Sequence, residues 1–305
     1  MHSVTNPSDQ KPLAESDAAH PSVTLLCPAC DCVRDHARVF RVNACDILRC
    51  SHCGLGRAVT TEFDPESYYT ESYFNGSHDD GYADYRGSEA ILRREFRKVV
   101  DELAEHLPPG GHILEVGCAY GFLLLEARDR YKVSGIEIAE DAVRSCREAG
   151  LADVHQGVVS QELLDKIGPV DAIVMLDVIE HLPNPESDLT LLARMLRPGG
   201  VFVISTGDFS SPLARIMGPR WRLMTPPQHL WYFTPESMRG LARRAGLEFK
   251  RLNYPWKLVP LGLIAFQLRR MFGLGGSGEH GGAPARIGLP LNLFDAMRVT
   301  MRKPA

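Results

Sequence analysis

The sequence predicts an α/β fold, a mostly parallel, doubly wound sheet with helices on both faces, preceded by a small cysteine-rich module. Three observations carry this. Between about residues 112 and 206, short apolar runs alternate with segments of helical periodicity. The first run, Ile113-Leu-Glu-Val-Gly-Cys-Ala-Tyr-Gly121, reads as a buried strand ending in a glycine-spaced turn that opens a helix. Upstream, Cys27-Pro-Ala-Cys30 and Cys50-Ser-His-Cys53 form two C-x-x-C knuckles separated by 19 residues.

Within the α/β region, strands are expected near 112–116, 132–137, 152–156, 171–176 and 201–205. Helices are expected near 120–130, 140–149, 160–166 and 186–196. Thr234-Pro235 supplies a cap and a first-turn proline for a helix running through Ala245. Strands follow over Leu247–Leu252 and Ala296–Arg302. Ahead of the sheet, Ser88–Leu107 places Ile91, Leu92, Phe96, Val99, Val100 and Leu103 on one helical side, and Pro108-Pro-Gly-Gly111 ends it. The expected organisation is a disordered tail over 1–24, a ribbon-like module over 25–60 and a tyrosine-rich connector with a helix over 61–110. A ligand-binding domain over 111–305 follows, with an insertion near 255–289.

Composition narrows the functional classes. A chain of 305 residues can hold one full α/β domain and an appendage. A net charge of −4 gives no electrostatic reason to expect polyanion binding. The N-terminus lacks a basic and then apolar leader, and the longest apolar run, Leu258–Phe266, has nine residues, too few to span a bilayer. The expected location is cytoplasmic. In such a reducing compartment, Cys27, Cys30, Cys50 and Cys53 read as a closed tetrahedral zinc site with a structural role. A decayed or redox-active motif is the alternative, and Cys32, Cys45, His36 and His52 are additional candidate ligands.

The chemistry centres on the glycine turn. Glu137 ends the next strand, 20 residues past Gly117, where a carboxylate can accept both hydroxyls of a ribose. The spacing is not that of a nicotinamide site, because Ala119 takes the middle position. Glu115, directly before the turn, would oppose a pyrophosphate but suits a cation. S-adenosylmethionine, with its sulfonium and ammonium, meets that requirement. On these residues the sequence resembles the class I S-adenosylmethionine-dependent methyltransferases. Asp171–Leu182 looks like that family's fourth strand and following loop, and Leu196–Ser205 like its fifth-strand entry. The resemblance implies a Rossmann-like, seven-stranded sheet with an antiparallel last strand. It also implies that Glu115, Gly117, Cys118, Ala119, Gly121, Glu137, Ile138 and Asp177 contact the cofactor. Gln156-Gly-Val-Val-Ser160 lacks the family's usual aspartate, so no residue is assigned to the adenine. Taken singly, Glu115 and Glu137 would read as solvated strand-end charges; their placement around one turn favours a site.

Two histidines are candidate bases. His181 follows the fourth strand, at the edge that faces an acceptor. It reads as a base, as a turn-capping residue or as a metal ligand. Asp177, Glu180 and His181 resemble the acid-x-x-Glu-His pattern of ubiquinone-biosynthesis O-methyltransferases, which implies a divalent cation there. His229, in Thr225–Pro235, could bind or deprotonate an acceptor or simply anchor its loop. Tyr73, Tyr82 and Tyr85 could seal the cofactor or merely pack. Lys257–Phe272 could touch a membrane surface or be buried against the core.

The expected activity is methyl transfer to a small acceptor, a sugar, quinone or phenol, lipid-linked intermediate or natural product. Cys53-Gly-Leu and Tyr69–Phe74 also resemble the N-terminal part of sugar C-methyltransferases. The alternative is an RNA methyltransferase whose ribbon grips nucleic acid, although Arg34, Arg38, Arg41, Arg49 and Arg57 against Asp31, Asp35 and Asp46 leave only +2. A non-catalytic zinc module and a nicotinamide oxidoreductase are less compatible with the glycine turn.

Overall fold

The computed structural model describes residues 22–60, 68, 85–262, 264 and 288–305. Residues 1–21 of the expected N-terminal tail, most of the tyrosine connector and most of the glycine-rich insertion lie outside these residues, whereas residues 22–24, expected in the tail, belong to a strand.

The cysteine-rich segment is an antiparallel meander of β1 (Ser22–Cys27), β2 (Cys32–Val42), β3 (Cys45–Cys50) and β4 (Gly56–Val59). Each knuckle is a hairpin turn. Asp31 turns the first at φ 56 and Gly54 the second at φ 73. Asn43 and Ala44, both at positive φ, close the β2–β3 hairpin in the manner of a type I′ turn. A fifth strand of this sheet, Trp231–Tyr232, arrives from far downstream and pairs antiparallel with β4. Nothing local in sequence predicts that strand.

The chain continues through α1 (Glu89–Ala104), β5 (His112–Val116), α2 (Phe122–Ala127), β6 (Lys132–Glu137), α3 (Glu140–Glu148), β7 (Val154–Gln156) and α4 (Gln161–Ile167). Next come β8 (Val170–Leu176), a 3₁₀ turn over Ile179–His181, α5 (Pro185–Met195), β9 (Leu196–Gly207) and α6 (Pro212–Met217). The module's fifth strand is β10 (Trp231–Tyr232), followed by α7 (Pro235–Arg244), β11 (Glu248–Asn253), β12 (Lys257–Pro260), β13 (Gly288–Leu291) and β14 (Ala296–Arg302).

The main sheet has seven strands in the order β11-β14-β9-β8-β5-β6-β7. Strands β5 to β9 are parallel, and β14 runs antiparallel to both β9 and β11. From β5 the chain winds outward to β7 and then returns to β8 on the other side. The switch point between β5 and β8 is where doubly wound folds leave a crevice. Side-chain alternation divides the core. Leu114, Val116, Ile173, Met175, Phe202 and Ile204 pack on one face, and Ile113, Ala172, Val174, Val201 and Val203 on the other. Strands buried on both faces read as continuous apolar runs, which is why these were legible.

The first face also holds Cys27, Ala29, Cys50, Cys53 and Leu55, so module and sheet share one core. Contact there is close: a Cβ at Gly240 of α7 would lie 2.3 Å from the Ala29 carbonyl oxygen. Thr234 and Ser237 cap α7 reciprocally, and Pro235 takes its first turn. The ends of the expected insertion pair with each other as β12 and β13. Among the described residues, no helix is long and apolar enough to cross a membrane.

Candidate active site

The turn after β5 lies at the switch point. Gly117 and Gly121 take φ 71 and 72, the left-handed region that glycine enters without cost. The expected reason for these glycines was close approach of a ligand; the protein's own packing already requires them. A Cβ at Gly117 would sit 2.5 Å from Val178, and one at Gly121 would sit 2.5 Å from Leu151 and 2.9 Å from Cys146. Ala119 is also left-handed, at φ 45, as is Asp177 after β8, at φ 56. Non-glycine residues held there cost about 1–3 kcal/mol and tend to mark functional turns. Both flank the crevice.

Glu137, at the end of β6, is buried and accepts from the Ala119 amide at 2.7 Å and the Ala139 amide at 2.9 Å. It therefore ties the β5 turn to the entry of α3. Burial raises its pKa, while those backbone donors pull the other way. Two carboxylate oxygens offer about four lone-pair sites, so acceptor capacity for hydroxyl groups is left. Glu115 lies wholly inside β5, and its Oε2 has no hydrogen-bond partner. Burial, then the neighbouring Cys146 and Glu137, raise its pKa well above the usual carboxyl range. An orphaned buried acid beside a second acid fits a cationic group such as an ammonium or sulfonium. Cys118, Ala119 and Tyr120 are buried in the same turn, and Ile138 is half-buried after β6. Tyr85 stacks on Phe122 at a centroid distance of 5.5 Å; Tyr73 and Tyr82 lie outside the described residues.

At the end of β8, the 3₁₀ turn carries Glu180 and His181 to the crevice edge. His181 Nδ1 faces the Gln228 carbonyl at 2.9 Å, and His229 Nδ1 faces the Leu223 carbonyl at 2.8 Å. A carbonyl can only accept, so each ring donates through Nδ1. The two rings meet edge to face with centroids 4.7 Å apart. Burial lowers the His181 pKa to about 4, and burial with the charge of Asp177 raises Glu180 to about 8. Near neutral pH His181 is therefore an uncharged imidazole beside the carboxylic acid of Glu180. Glu180, His181 and His229 offer ligand atoms within 4.8 Å of one another, a donor set a divalent cation can use. Asp177 is outside that group; it instead forms an ion pair with Lys257 at 3.2 Å. Neither the pairing of Lys257 with Asp177 nor the direct approach of His229 to His181 carried a signal in the sequence.

A family described as "Methyltransferase domain" matches residues 88–251, more than half of the chain. The protein is an S-adenosylmethionine-dependent methyltransferase of this family. It is 32% identical over 171 residues to a ubiquinone biosynthesis O-methyltransferase of Alkalilimnicola ehrlichii, covering 49% of this chain and 69% of that enzyme. With the same enzyme of Cupriavidus pinatubonensis it shares 29% over 156 residues, covering 47% and 63%. The chain thus spans about two thirds of the length of the curated relatives it matches. The solved magnesium protoporphyrin IX methyltransferase of Synechocystis, with bound SAH, superposes with a TM-score of 0.50 at 15% identity. It covers 78% of this chain and 97% of its own, and that likeness speaks to fold.

Outside the family match, the methyltransferase gathers its four knuckle cysteines. The Cys27–Cys53 and Cys30–Cys50 sulfur distances are 3.6 and 3.9 Å, and all four sulfurs lie within 4.8 Å of one another. A disulfide needs about 2.05 Å. A zinc–sulfur length of about 2.3 Å gives a tetrahedron with edges of about 3.8 Å, so the donor set fits a zinc ion. Cys32, Cys45 and His36 are not in that cluster: Cys32 donates to the Cys30 carbonyl, and His36 Nδ1 faces the Arg34 carbonyl.

Proposed function

We propose that the methyltransferase acts on a small-molecule acceptor held against the His181–His229 pair, with methyl transfer in line from a donor lying across the β5 turn. The observation that carries this reading is the approach of the two imidazoles, each held at Nδ1 by a backbone carbonyl, beside Glu180 at the switch-point crevice. Bound S-adenosylmethionine supplies a methyl group already activated on a sulfonium. In this reading Glu137 accepts the ribose hydroxyls, Glu115 answers the cofactor's positive charge, and the turn from Gly117 to Gly121 fixes its position. Asp177 lines the methionine end.

The protein's remaining task is orientation, exclusion of water and removal of one proton. His229 Nε2 takes the acceptor proton, and neutral His181 orients the acceptor hydroxyl. A histidine lowered to about 4 stays uncharged through the working pH range, which suits orientation better than proton storage. The likeness to ubiquinone biosynthesis O-methyltransferases supports an acceptor with an acidic, phenol-like hydroxyl. In the organisation we favour, the zinc module and connector precede a domain over 111–305, in a reducing compartment such as the cytoplasm, where the cysteines stay free. Grip on RNA has little support from the module, because Arg38 and Arg41 pair with Asp46 while Arg49 and Arg57 lie over Phe209 and Trp231.

The test is S-adenosylhomocysteine release across phenols, sugars and lipid extracts. His229→Gln is expected to lower turnover about 10²–10⁴-fold with S-adenosylhomocysteine affinity unchanged. Full turnover in that variant would refute the assignment.

A further inference from the structure

We propose that the cysteine-rich module is a positioning element for the acceptor side of the active site. Through Asn43, β4 and the Cys53 carbonyl, it holds the 225–234 segment so that His229 faces His181. This rests on the reading of His229 as an acceptor-side residue.

The segment is clamped from two sides. On the module side, Asn43 Nδ2 donates to the Pro226 carbonyl at 2.7 Å, three residues before His229. The Ala58 amide of β4 donates to the Leu230 carbonyl at 2.9 Å, one residue after it. Trp231 and Tyr232 then pair with Arg57 and Gly56, and Thr234 Oγ1 donates to the Cys53 carbonyl at 2.7 Å. On the other side, the Leu230 amide donates to the Glu180 carbonyl at 2.9 Å, and Trp231 Nε1 donates to the Leu182 carbonyl at 2.9 Å. His181 Nδ1 donates to the Gln228 carbonyl. One short stretch thus bridges the second cysteine knuckle and the turn after β8.

A two-residue strand cannot persist without a partner, so β10 depends on β4 for its place. The fit leaves no slack, since a Cβ at Gly56 would lie 2.8 Å from Tyr232 Cβ and 2.9 Å from the Phe209 ring. The family match begins at residue 88, so this restraint comes from chain outside the matched domain. Zinc at the knuckles would brace the turn that presents the Cys53 carbonyl. The strand, amide and hydroxyl contacts carry the effect to His229. Asn43 and Thr234 are therefore positioning residues.

Hydrogen exchange on the full chain tests this, with S-adenosylhomocysteine calorimetry in parallel. Asn43→Gly suits the left-handed turn at φ 48 and removes the donating side chain. Thr234→Val keeps the branched shape and loses the hydroxyl, with its bond to Cys53 and its cap of α7, and Thr234→Ser restores both. Asn43→Gly and Thr234→Val are each expected to speed exchange of the 225–234 peptide by at least about fivefold. The 112–137 peptide should stay unchanged, cofactor-product affinity should stay within about twofold, and Thr234→Ser should behave as wild type. The proposal is overturned by unchanged exchange at 225–234 in both variants, by an equal rise in 112–137, or by failure of Thr234→Ser to rescue. If His229→Gln retained turnover, the functional reading would fall while the exchange result stood by itself.

Discussion

Glu180 offers a quantitative check on the electrostatics of the candidate site. Its residue is 3% exposed, and burial together with the charge of Asp177 raises its pKa from the usual 4.5 to about 8. In the unfolded chain it titrates normally. Between pH 4.5 and 8 the folded protein therefore binds more protons than the unfolded one. The associated stability is fully present below about 4.5 and is lost as pH rises towards 8. From pH 5 to 8 that loss integrates to about 3–4 kcal/mol as an upper bound. Glu180→Gln keeps the shape and removes the ionisation, so the variant escapes the loss. His181 works in the opposite direction: lowered to about 4, it contributes stability above about 6.5 that is lost as pH falls towards 4. That contribution is common to both proteins and cancels in the difference. Urea unfolding of wild type and variant, in chelator and without cofactor, measures it. The stability difference, variant minus wild type, should grow by about 2–4 kcal/mol between pH 5 and 8. A difference flat to within about 0.5 kcal/mol would mean that Glu180 titrates as an ordinary carboxyl, and the dry-cluster description would fail.

Other consequences are open to direct measurement. Glu137→Ala should weaken S-adenosylhomocysteine binding by about 1.5–3 kcal/mol in calorimetry, because it removes charge-assisted hydrogen bonds and releases the Ala119 amide; unchanged affinity would count against the ribose assignment. Metal analysis should find one zinc per chain, and a chelator should lower the melting temperature, since a structural site binds the folded state alone. A metal-free protein with an unaltered melting curve would refute that. Gly240→Ala drives a methyl into the Ala29 carbonyl and should destabilise by about 1–3 kcal/mol, read as a drop in urea midpoint.

The parts of the fold legible in sequence were those whose physics is local. Ile113–Val116 and Ala172–Met175 sit between two helical layers, so every residue but Glu115 is apolar, and a short run suffices to mark them. The Thr234-Pro235 start of α7 was visible because capping uses the residues next to it. Placement of the last strand came from the family resemblance; periodicity alone could not say that β14 runs between β9 and β11. The extra pairing of β12 with β13 was invisible for the same reason, since it joins segments 28 residues apart across the insertion (260 to 288).

The candidate site shows the same divide more sharply. Glu137 and the glycines announce themselves by their spacing around one turn. His181 and His229 are 48 positions apart, and only the fold makes neighbours of them. What brings them together is backbone: a two-residue strand, an asparagine amide and a threonine hydroxyl, none with a hydrophobic period or a motif. The cysteine spacing pointed to a closed metal site with a structural role, and the four sulfurs gather in a set that could hold an ion. Because the second knuckle runs directly into β4, and β4 carries the segment bearing His229, stability of the module and placement of His229 are one mechanical problem. Loss of the module would therefore reach the reacting edge of the sheet before it reached the cofactor turn, whose own restraints, Glu137 and the β5–β6 pairing, lie entirely within the matched domain.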